Sequence, residues 1–183
     1  MNARISNMNK NKGFTLIELL IVMAILGVLA VVVLVAINPV QQLARTRDAG
    51  RKSGVGQIGR SLEAYYTSHG GVYIPESATW VSTLVTAGEV STVPAKIGNS
   101  LTTECAVNNH SGWCYDANAA SNGTGAIMFT ALESDSEKSK CTAGTAAWFV
   151  WSTVDGRGGL ICTGNYSTPP TFNSAGQTFN TVQ

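Results

Sequence analysis

The hydrophobic pattern of this chain has one dominant feature. From Phe14 to Ile37 an apolar run of 24 residues is interrupted only by Thr15 and Glu18. As a helix it spans roughly 36 Å, enough to cross a bilayer core of about 30 Å with some tilt. Asn38-Pro39 ends the run, and proline removes a backbone donor and clashes with the preceding turn, so a kink or break is expected there. From Val40 to about Ser68 the pattern becomes amphipathic. Val55, Ile58, Leu62, Tyr65 and Tyr66 recur at three- and four-residue spacing, which places them on one helical face. Gly50, Gly54, Gly56 and Gly59 lie within this helix. Each costs roughly 0.8–1 kcal/mol relative to alanine, and close packing of the helix on a neighbouring element is the favoured explanation. His69-Gly70-Gly71 is the stop.

Beyond it the periods shorten. Glu76–Lys96 reads as a short helix around Trp80, Val81, Leu84 and Val85, then a connection. Residues 97–122 are polar and irregular, which predicts a surface loop. Three strands are expected: Ala126–Leu132, Ala147–Val154 and, after the turn Asp155–Gly158, Gly159–Thr163. Glu133–Lys140 between the first two reads as an exposed charged loop, and the Ser/Thr/Asn/Pro-rich tail from Gly164 as surface coil.

Glu18 is the anomaly. A carboxylate five residues into a membrane span costs about 2.5–3.5 kcal/mol even on the lenient insertion scale, so it needs a partner. No Lys, Arg or His lies in the apolar run. The nearest cation would be an α-amino group at Phe14, present only if the chain is cut after Gly13.

Gly13-Phe14-Thr15-Leu16-Ile17-Glu18, with Arg4, Lys10 and Lys12 before it and the apolar helix behind it, closely resembles the class III signal of type IV pilins and type II secretion pseudopilins. The resemblance is specific over residues 12–37 and looser to about residue 75. It implies that a membrane-bound prepilin peptidase cuts after Gly13 and methylates Phe14. It also implies that Glu18 pairs with the N-terminal amine of a neighbouring subunit as a filament grows. A second resemblance, to pilin-like proteins including the major type II pseudopilin, rests on Tyr65-Tyr66, then Gly71, Tyr73 and Pro75, with Ile74 inserted before the proline. A conventional secretory signal fits poorly, because its apolar core is about 7–15 residues with small residues at the cleavage site. A plain anchor leaves Glu18 unexplained.

Charge and cysteines refine the picture. From His69 onward eight acids face four cations, so the head is net −4. A nucleic-acid grip would need clustered Lys and Arg, so direct nucleic-acid binding is not expected. The leader's cations should hold the N-terminus in the cytoplasm, although Arg45, Arg47, Arg51 and Lys52 beyond the span nearly balance them. Cys105, Cys114, Cys141 and Cys162 all follow the span. Two disulfides are expected, in any of three connectivities, with Cys105–Cys114 and Cys141–Cys162 favoured because each closes a local loop. A zinc site of Cys105, His110 and Cys114 matches no standard spacing. The resemblance to the major pseudopilin raises calcium in the head, near Asp135, Glu137 and Asp155. No EF-hand spacing is present, and solvated loop charges are the simpler reading. No nucleophile elbow, P-loop or His-Glu-x-x-His occurs, so no enzyme is expected.

The expectation is therefore an α+β chain. Residues 1–13 form a cleaved leader, 14–37 a transmembrane and assembly helix, 38–69 its amphipathic continuation, and 70–183 a head with an antiparallel sheet. Its expected role is that of a structural subunit of a type IV pilus-like filament, assembled with other pilin-like subunits by pilus or secretion machinery. It would reside in the bacterial inner or cytoplasmic membrane and then in an extracellular filament. The alternatives are a type II secretion pseudopilin in a periplasmic pseudopilus, and a membrane-anchored adhesion module that does not polymerise.

Overall fold

The computed structural model describes residues 13–92, 109–110, 112–117, 123–142 and 146–180. Residues 1–12 of the leader, Lys96 and Cys105 lie outside the described residues. The chain divides into two compact units, residues 1–39 and 40–183.

The first unit holds α1 (Leu16–Ile37), apolar all round and with no buried residue. It is long and apolar enough to cross a membrane. Asn38 adopts φ 46°, a left-handed conformation rare outside glycine, and Pro39 opens the next helix. The expected break is therefore a single residue.

From Val40 onward α2 (Pro39–Ser68) belongs to the second unit, and it ends where the glycines predict. Gly70 and Gly71 take φ 68° and 78°, and the Gly71 N–H bonds back to the Tyr66 carbonyl at 2.9 Å. After α3 (Trp80–Thr86) the described residues form five antiparallel strands in sequential order: β1 (Asn109–His110), β2 (Trp113–Ala117), β3 (Ala126–Ala131), β4 (Ala146–Ser152) and β5 (Arg157–Thr163). A four-residue helix, α4 (Asp135–Lys138), lies between β3 and β4.

The register sorts the side chains into two faces. Tyr115 opposes Met128, which opposes Trp151; Cys114 opposes Phe129, which opposes Val150. The first face carries Trp113, Tyr115 and Met128 and forms one core with Val55, Ile58 and Leu62 of α2 and Trp80, Val81 and Leu84 of α3. The glycines explain the closeness. A Cβ at Gly54 would overlap the Trp113 ring, and one at Gly59 would overlap the Trp151 ring. Tyr65, Tyr66 and Tyr73 pack at the helix end, with the last two rings stacked at 4.6 Å.

The tail is coil at the surface, as expected, and it adds a cover to the second face. Ile127, Phe129, Ala131, Trp148 and Val150 are covered by Tyr166, Phe172 and Phe179. The tail is a strap tied at intervals. The Tyr166 hydroxyl donates to the Leu132 carbonyl at 2.6 Å, the Phe172 N–H to Asp116 at 2.8 Å, the Gln177 N–H to Asp155 at 2.8 Å, and the Asn180 N–H to the Leu160 carbonyl at 2.7 Å. An antiparallel sheet with two apolar faces cannot leave one to solvent, and coil from the chain's own end covers it.

Two further expectations change. Residues 109–110 and 113–117, read as irregular loop, are strands. Trp113 and Tyr115 are core residues, and the Tyr115 hydroxyl is bonded to the Ile74 carbonyl at 2.7 Å. The alternation Trp113, Tyr115, Ala117 was a period-two signal masked by polar flanks. The stretch Glu133–Lys140 is not a wholly exposed loop either, because Glu133 and Ser134 are buried and Asp135–Lys138 is helical.

Candidate assembly site at the start of the apolar helix

Gly13, Phe14 and Thr15 precede the helix in non-helical backbone. Thr15 is its N-cap, with φ −80° and ψ 153°. Extended backbone at this position frees the cap's side chain to serve the first-turn donors, which have no intrahelical partner. The Glu18 N–H donates to Thr15 Oγ1 at 3.3 Å. In return Glu18 Oε2 accepts the Thr15 N–H at 2.8 Å and the Thr15 hydroxyl at 2.8 Å. This reciprocal arrangement is a capping box. It also places the carboxylate at the positive end of the helix dipole.

The partner that Glu18 requires is therefore present within the uncut chain. A cation is not needed for this, because Thr15, three residues away, supplies two donors. The Thr-x-x-Glu spacing before an apolar run was the available signal.

Around this box the surface is open. Phe14 is 91% exposed, and a side chain built at Gly13 would meet nothing within 4 Å. The Gly13–Phe14 peptide thus lies in an accessible, non-helical segment one residue before the cap.

The other candidate residues lie in the second unit. Cys141 and Cys162 form a disulfide with Cα atoms 5.7 Å apart. Cys114 is also disulfide-bonded. Asp135 and Glu137 lie on α4, whereas Asp155 sits in the turn after β4 and holds the tail through Gln177. Burial pushes the Glu137 carboxyl up, but the ammonium groups of Lys52 and Lys140 bonded to it pull harder, and it ends below the usual glutamate range. Among the described residues no group of three or more His, Cys, Asp or Glu is placed to hold a metal ion.

Residues 8–34 match the family model of the prokaryotic N-terminal methylation motif. The chain is 36% identical over 98 residues to the fimbrial protein EcpC of Eikenella corrodens, a match covering 54% of this chain and 58% of that protein. The chain thus spans less than two thirds of the length of the relative it matches. No solved structure matches it. The motif match covers the capping box and most of α1, and the sheet follows it in the chain. The chain carries the prokaryotic N-terminal methylation motif on an α+β, pilin-like fold.

Proposed function

We propose that this chain is a structural subunit that is cut after Gly13, methylated on Phe14 and polymerised into a type IV pilus-like filament. The observation that carries this reading is the Thr15–Glu18 box at the head of a 22-residue helix that buries none of its residues. An apolar surface of that extent has to be covered, first by lipid and then by the same helix of other subunits. Before cleavage the box satisfies the Glu18 carboxylate. After cleavage the new amine of Phe14 provides the cation that makes Glu18 a register point for the incoming subunit. A prepilin peptidase and a filament-assembly machinery are the partners this requires. The N-terminus faces the cytoplasm and the head lies outside.

The similarity to a fimbrial protein favours the pilus over a secretion pseudopilus. The Ser/Thr-rich tail, engaged with the sheet, does not bear on this choice. The reading is tested by intact mass and N-terminal sequencing of the protein in sheared surface filaments and in washed membranes. Abundant protein in the sheared fraction, starting at methylated Phe14, is expected. Processed protein confined to membranes would move the assignment to a pseudopilin. An uncut N-terminus in both fractions would overturn it.

A further inference from the structure

Helix α2 is held to the head in two different ways. Its second half uses Val55, Ile58 and Leu62, all buried in the apolar core. In its first half the only apolar side chain buried is Ala44, and the other buried residues are Asp48 and Arg51, 2% and 1% exposed. The grip on this half is largely polar, and residues 133–137 supply much of its head side, while the Lys52 ammonium also lies 5.9 Å from the Phe149 ring centroid. The Asp48 carboxylate accepts the N–H of Glu133 at 3.0 Å and that of Ser134 at 2.8 Å. Arg51 bonds Asp48 at 2.7 Å and approaches Glu133 at 3.5 Å, and Arg47 also pairs with Glu133. Gln41 accepts the Asp135 N–H at 3.0 Å, and Lys52 meets Glu137 at 2.6 Å.

A buried charge pair roughly breaks even against its desolvation, whereas apolar burial is a net gain. The first half of α2 is therefore the weaker half and opens first. Its bounds favour separate movement, with Asn38 breaking the helix on one side and Gly54 and Gly56 weakening it on the other.

What keeps residues 133–137 in place is decisive. No residue of α4 is buried, so the helix has no apolar anchor of its own. It is tethered at its two ends. Before it, the Leu132 N–H bonds the Ala147 carbonyl at 2.9 Å, and the Leu132 carbonyl accepts the Tyr166 hydroxyl. After it, Cys141 is joined to Cys162 of β5, and the Asn180 amide donates to the Lys140 carbonyl at 2.7 Å.

We infer that α4 is a redox-set clamp: the Cys141–Cys162 disulfide holds residues 133–137 against the first half of α2, and loss of the bond frees residues 40–52 while the apolar half stays docked. Closing joins two thiols into one disulfide. Two electrons and two protons pass to a disulfide oxidant, which leaves as a dithiol; opening is the reverse with a dithiol reductant. The clamp also accounts for the cations beyond the span. Arg47, Arg51 and Lys52 are engaged in the head's packing.

The test is hydrogen–deuterium exchange on the full chain in detergent micelles. In the double variant Cys141→Ser, Cys162→Ser, amides of residues 41–52 should exchange on the order of tenfold faster, with those of residues 55–66 unchanged. Retained protection of 41–52, or equal loss in both halves, overturns the clamp. Asp48→Asn in the disulfide-bonded chain provides an independent arm, useful if the double variant does not fold. It should speed exchange over 41–52 alone, and a rise spread over both halves overturns the two-part docking.

Discussion

The Glu18 carboxylate accepts both donors of Thr15, the backbone N–H and the hydroxyl, each at 2.8 Å. One residue is thus given two duties, capping a helix and carrying a charge, and substitutions separate them. Glu18→Val removes both. Glu18→Gln keeps an acceptor for the Thr15 N–H and removes the charge. If the charge sets subunit register, both variants insert in the membrane and both lose surface filaments, which electron microscopy and quantification of sheared protein would show. Normal filament numbers in Glu18→Gln would confine Glu18 to capping, worth about 1 kcal/mol.

The helix glycines give a pair of opposite outcomes. A methyl group at Gly54 would overlap the fully buried Trp113 ring. Gly54→Ala should therefore destabilise the head by about 1–3 kcal/mol, as overpacking does. A Cβ at Gly56 meets only the end of the Arg60 side chain, at 3.7 Å. Gly56→Ala should stabilise by up to about 1 kcal/mol through helix propensity. Thermal unfolding of the two variants in detergent would show Tm moving in opposite directions.

Asp116 supplies a pH dependence. Burial, and then the neighbouring Glu76 carboxyl, push its pKa up to about 6, against a pull downward from the Phe172 N–H. The folded state thus holds this proton more tightly than the unfolded chain does. The resulting stability is complete below the unfolded value of 3.8 and is lost as pH rises through about 6. Raising the pH from about 5 to about 8 should cost about 1 kcal/mol once solvent screening of this half-exposed pair is allowed for. Asp116→Asn should flatten the Tm–pH profile in that window. Glu137, held below its usual range, acts in the opposite sense and weakens the fold only under more acid conditions.

The strap should be indispensable to solubility of the head. Tyr166, Phe172 and Phe179 cover Ile127, Phe129, Trp148 and Val150. A chain ending at Gly164 should expose that face, bind a hydrophobic dye and aggregate. Unchanged dye binding would show that the strap adds nothing to the sheet's cover.

The parts legible in the sequence are those whose physics is local. The length of the apolar run, the Gly-Phe-Thr-Leu-Ile-Glu order, the break at Asn38-Pro39 and the glycine stop after Ser68 each depend on neighbours within a few residues, so composition and periodicity reveal them. Even there the cap is hard to read, because a carboxylate in an apolar run points to a cation, whereas the neighbouring Thr15 hydroxyl and N–H suffice. Tertiary structure decided the rest. The Asp48 bonds to Glu133 and Ser134 join residues 85 and 86 apart in the chain, and the tail's bond to Asp116 joins residues 56 apart. No one-dimensional pattern encodes which charged loop residue will be buried, or which polar tail will serve as a cover. Those outcomes follow from a sheet with two apolar faces and a helix half that buries Ala44 as its one apolar side chain, each satisfied by whatever segment the fold brings within reach.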